Sequence, residues 1–152
     1  MAYKSEIHAL NSLVDRQNSV LLDNKLDTAI TFVATTTGAV DTHDLLTITG
    51  VVALQVFGVC STDVAGSGTI EVGTALSTAG VIAQTTGTAI DVGDIWHDAA
   101  PDASVELTSV LLQNIITQDV AYIIAGNTLT GGVVTFYIRW APISDDGNVA
   151  LA

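Results

Sequence analysis

Hydrophobic and polar residues along most of this chain alternate in short runs, and the runs end at glycine or small polar residues. The clearest run is VVTFYIRW, residues 133–140. Val134, Phe136, Ile138 and Trp140 share one side, and Val133, Thr135, Tyr137 and Arg139 share the other. A period of two is the signature of a strand with one face on a core. It places the first set inward and leaves Arg139 on a wet or interfacial surface.

Similar runs at 28–35, 45–49, 51–60, 69–72, 81–84, 94–97, 105–112 and 119–125 predict further strands, with turn residues between them. Gly50 and Gly58 fall where bulges or bends are expected. STDVAGSG reads as a turn, and Pro101 and Asp102 mark a loop. About eight strands in one domain with no alternating helices predict an all-β fold. It is a β-sandwich of jelly-roll type, with a short N-terminal arm or helix.

The first 26 residues differ in texture. They hold Lys4, Arg16 and Lys25, three of the four basic residues, and no glycine. Ile7, Leu10, Leu13, Val14 and Leu21 fall near helical spacing, and Ser5 is placed to cap a helix. So short an apolar face does not fold alone. It docks either on its own domain or on a neighbouring subunit or larger partner, with plain disorder as the remaining reading. Residues 1–26 are therefore read as an arm and 27–152 as the sandwich domain.

Charge narrows the function. Asp and Glu number 16 against 4 Lys and Arg, for a net charge of −12. Such a chain repels phosphates and anionic lipid surfaces, which argues against nucleic-acid and membrane partners. No secretory signal is legible, and no unbroken apolar stretch is long enough to span a bilayer, so synthesis in a cytoplasm is expected. Cys60 is the single cysteine, which leaves no disulfide within the chain. Mean hydropathy is +0.51 although aromatics make up only 5%. Runs such as 51–59 and 122–124 look apolar on both faces. Covered faces of that kind are typical of obligate assemblies, so a homo-oligomer is expected.

Candidate chemistry is sparse. Asp91, Asp94, His97 and Asp98 lie close in sequence, as do Asp41, His43 and Asp44. Asp and His ligate metals, but neither spacing matches an EF-hand loop, and both clusters read first as solvated acidic turns. If the two met in space, a metal-dependent β-sandwich enzyme would be a possible reading. Ser67 sits in a flexible Gly-Ser-Gly turn rather than a nucleophile elbow. Cys60 reads as a buried thiol. VAGSGTIEVG lacks the lysine and helix of a phosphate loop. Trp96 and Trp140 are candidates for a sugar-stacking platform, Trp140 also for packing. Trp96, in a loop-like segment, is equally a candidate subunit contact. No catalytic residue, metal or cofactor is assigned.

Four segments carry a resemblance: VFGVCSTD (56–63), GTIEVGTA (68–75), DIWHDAAPD (94–102) and WAPISDDGNV (140–149). From about residue 40 onward the chain resembles small structural proteins of tailed bacteriophages, specifically head decoration, or cement, proteins. The resemblance implies a β-sandwich that assembles as a trimer on the outer capsid surface. Its partner would be the major capsid protein, with an arm or loop gripping adjacent capsomers. It implies no catalytic residues. Ile7, Leu10, Leu13, Val14, Arg16, Leu21 and Trp96 are then the expected capsid or inter-subunit contacts. A virion surface module gripping host glycan through Trp96 or Tyr122 is the alternative binding role.

Overall fold

The computed structural model describes residues 21–152. Eleven strands run β1 (Asn24–Thr31), β2 (Asp41–Thr49), β3 (Val52–Ala65), β4 (Thr69–Thr74), β5 (Ser77–Thr86), β6 (Asp94–Trp96), β7 (Asp102–Ala103), β8 (Asn114–Ile116), β9 (Val120–Ala125), β10 (Gly131–Pro142) and β11 (Asn148–Leu151). Two single-turn 3-10 helices, Gly87–Ala89 and Thr108–Val110, complete the order. Every strand pairing is antiparallel.

One sheet has the order β1-β10-β3-β6-β7, with β8 pairing a second stretch of β3, and the other has β11-β2-β9-β4-β5. Eight strands carry the architecture, as β1-β10-β3-β6 in one sheet and β2-β9-β4-β5 in the other. The chain changes sheet at almost every connection, and this order is that of a jelly roll. The short β7, β8 and β11 are additions to it, which explains the higher strand count than the alternation suggested.

The core follows from strand period. Val134, Phe136 and Ile138 of β10 are buried and Tyr137 and Arg139 are exposed, as the alternation requires. Val52, Leu54, Val56 and Cys60 of β3 face the same interior and meet Leu46, Ile70, Val72, Tyr122 and Ile124 of the opposite sheet. Aromatic rings link the two layers. Trp96 lies 6.0 Å from Phe136, Phe136 lies 6.3 Å from Tyr122, and Phe32 meets Tyr122 edge-on at 6.1 Å. Spacings of this order are those of favourable aromatic pairs.

The two-sided apolarity of β3 has a cause within the chain. Its outward Ala53 is covered by Leu22, which is itself buried against Ala141. Outward Gln55 is also buried, and its Nε2 donates to the Leu111 carbonyl at 2.8 Å. Leu22, just before β1, and a long excursion after β6 thus close part of this sheet's outer face. β1 itself begins at Asn24 and pairs with β10 from Asn24↔Trp140 to Thr31↔Val133.

Two expected features differ. The run 105–112 is not a strand: it is irregular apart from the Thr108–Val110 turn, and β8 follows it. Its apolar residues are spaced for a strand, yet Val105, Leu107 and Leu112 point to solvent. STDVAGSG is only partly a turn, because β3 continues to Ala65 through a register shift against β10 near Val133.

Candidate functional site

The distinctive surface is built where β6 ends. β6 hangs on the β3 edge through Gly58↔Trp96 and Val59↔Ile95, and β7 folds back on it through Asp94↔Ala103 and Ile95↔Asp102. Ser104 then turns the chain with a left-handed φ of 59°, the one non-glycine with positive φ among the described residues. This brings four side chains together. His97 Nε2 lies 3.1 Å from Asp102 Oδ2 and 3.1 Å from Glu106 Oε2, and its Nδ1 lies 3.9 Å from Asp98 Oδ2. The imidazole side chain is only 9% exposed.

The two carboxyls are electrostatically unequal. Asp102 is held above the usual carboxylic range, first because it hydrogen-bonds Glu106 and then through desolvation. Glu106 is held below it, first because the Leu107 N–H donates to Glu106 Oε1 at 2.6 Å, then through Asp102 and His97. Asp98 accepts from the Ala100 N–H at 2.8 Å. Together with the Gln55–Leu111 bond, these contacts fasten the excursion to β6 and β3.

Beyond this clamp the surface turns apolar. Leu76, at the tip of the β4–β5 hairpin, is 85% exposed and Leu112 is 75% exposed. Ile115 on β8 and Leu107 are exposed as well. Two adjoining grooves of about 310 and 180 Å³ share Gly80, Val81 and Asn114 in their walls. The larger includes Leu76 and Ile115 and no charged side chain; the smaller is lined by Leu112 and, at one end, His97 and Asp98.

The sequence-predicted site residues are distributed as follows. Ile7, Leu10, Leu13, Val14 and Arg16 lie outside the described residues. Leu21 is exposed, while its neighbour Leu22 is the buried one. Trp96 corrects the expectation of a surface contact. It is fully buried, because its position opposite Gly58 turns the indole inward onto Phe136. Its indole N–H meets no acceptor among the described residues, so it acts as an apolar filler. Tyr122, the other residue considered for glycan stacking, is also core. Its hydroxyl donates to the Thr37 carbonyl at 3.0 Å, and burial pushes its pKa up to about 12.

The two Asp/His clusters are not brought together. His43 Nε2 contacts the Ala39 carbonyl at 2.9 Å and its ring stacks on Tyr122 at 4.7 Å, while Asp41 accepts from the Thr42 N–H. Asp94 accepts from the Asp91 N–H at 2.9 Å and closes a turn. Only His97 and Asp98 of the expected residues enter the clamp. Its other members, Asp102 and Glu106, were missed, because the turn at Ser104 that presents them has no local sequence signature. Leu76, Leu107, Leu112 and Ile115 were also missed as surface residues: Leu107 and Leu112 sit in the run 105–112 that reads as a strand, and Leu76 and Ile115 fall between the expected strands.

The fold defines an antiparallel β-sandwich of jelly-roll order with an apolar face beside a His–carboxylate clamp. No protein-family model, curated protein or solved structure matches the chain.

Proposed function

We infer that this chain is a structural attachment protein of a phage head. It is a decoration, or cement, protein that binds the outer capsid surface as a homotrimer and strengthens contacts between capsomers. It works by binding rather than turnover. The observation that carries the reading is the uncharged groove in which Leu76, Val81 and Ile115 lie among neutral polar residues, with exposed Leu112 beside it. In a chain of net charge −12, an uncharged face is where another acidic protein can approach without repulsion. Contiguous exposed apolar surface of this kind marks protein interfaces. The compact sandwich and the segment resemblance support the same role. Ligand linkage then raises shell stability by mass action, and many copies on one lattice reinforce one another.

The test has two arms. Light scattering should give a trimer mass for the purified chain. Capsids stripped of the protein should regain heat resistance when it is added back, and Leu76→Asp combined with Leu112→Asp should abolish the gain. A monomer that leaves matching capsids unbound and no more heat-resistant would falsify the reading.

A further inference from the structure

The clamp at the end of β6 gathers two carboxyls on one imidazole nitrogen. Asp102 and Glu106 both stand 3.1 Å from the same imidazole nitrogen, His97 Nε2. A ring nitrogen carries at most one N–H, so it cannot give each carboxylate its own hydrogen. The two carboxyls also hydrogen-bond each other, which places a shared proton or a bound cation between them. Among the described residues the three acids form ion pairs with His97 alone, so no lysine or arginine occupies the position between them.

The distances fit a cation. In a tetrahedral site with metal–ligand bonds of about 2.0–2.1 Å, ligand atoms stand about 3.3 Å from one another. The N···O separations here are close to that value. His97 is nine-tenths buried and aims Nε2 at both carboxylates, while Asp98 lies at the other ring nitrogen, Nδ1. Ligand atoms of His97, Asp98 and Asp102 also fall within 4.8 Å of one another. One imidazole nitrogen with carboxylate oxygens selects a first-row transition ion over the all-oxygen shells of Ca²⁺ or Mg²⁺.

We propose that His97 Nε2, Asp102 and Glu106 bind a divalent transition-metal ion of the Zn²⁺ class. The ion joins β6 to the excursion that carries Leu107 and Leu112, and so sets the shape of the apolar face. Its role is structural. The site is independent of any capsid role, because its evidence is the clamp's own geometry.

The test uses the full chain, dialysed against EDTA and then titrated with ZnCl₂ and, separately, MnCl₂ by calorimetry at pH 7.5. One ion should bind per chain, and metal should raise Tm. His97→Gln and Glu106→Gln, checked for native strand content by circular dichroism, should each weaken binding at least tenfold and remove the Tm rise. Glu106 is partly exposed, so its variant remains informative if the buried His97 variant fails to fold. Absence of stoichiometric binding by either ion overturns the proposal. So does binding that Glu106→Gln leaves unchanged.

Discussion

Gly58 and Trp96 face each other across the β3–β6 ladder, and the glycine is what lets the indole enter the core. A Cβ on Gly58 would stand 2.7 Å from Val134 Cγ1 and 3.5 Å from Trp96 Cε3. Neither neighbour has free volume, because Val134 and Trp96 are both fully buried. Gly58→Ala should therefore overpack this junction and destabilise by about 1–3 kcal/mol. Trp96→Ala should cost about 3–5 kcal/mol by leaving a cavity beside Phe136. Urea unfolding of both variants checks the pair. A Trp96→Ala loss below about 1 kcal/mol would mean that the indole is not packed as described.

Alkaline stability should depend on Tyr122. Its phenol is pushed from the ordinary value near 10 up to about 12 by burial, so the folded state holds its proton more tightly than the unfolded chain. The contribution is complete below about pH 10 and is lost as pH rises toward 12. Two units correspond to roughly 2–3 kcal/mol. Tm measured from pH 9 to 12 should fall steeply for the wild type and less steeply for Tyr122→Phe. Equal slopes would contradict a buried, proton-retaining phenol.

Cys60 should be inert while the protein is folded. Burial pushes its thiol pKa up, and its Sγ–H donates to the Thr62 carbonyl at 3.0 Å. The thiolate is the reactive form, so the raised pKa and the buried position suppress attack on a disulfide reagent. Labelling with Ellman's reagent at pH 8 should be at least tenfold slower in native buffer than in denaturant. Rapid native labelling would show that β3 opens locally near its bulge.

Leu112→Asp should separate stability from association. Leu112 is too exposed to support the fold, so Tm should move by no more than its ordinary surface effect, about 0.5 kcal/mol. Self-association, followed by sedimentation at increasing concentration, should weaken. A large Tm loss with unchanged association would place this side chain in the core instead.

The sandwich was legible because its longest strands are amphipathic. VVTFYIRW assigns its inward and outward residues without help from any neighbour, and β10 follows that assignment. What was not legible depends on cover. The outer face of β3 looked suited to a sister subunit, yet Leu22 and the Leu111 carbonyl shield Ala53 and Gln55 from within the chain. Trp96 looked like a surface residue even with a strand expected at 94–97, because the three residues of β6 are too few to show which side faces inward. The clamp was half visible: His97 and Asp98 are adjacent, but Asp102 and Glu106 arrive only through β7 and the left-handed turn at Ser104. No spacing rule encodes that geometry.

The pairing of β1 with β10 has a consequence for biogenesis. The first described strand finds its sheet partner only in the penultimate one, with Asn24 opposite Trp140. The β3 strand likewise waits for β10 to complete its other edge. On a ribosome, β1 and β3 emerge long before β10 exists, so the nascent body cannot close strand by strand as it is made. Folding must follow release of nearly the whole chain. Contacts so distant in sequence make that closure slow compared with helical proteins of similar size.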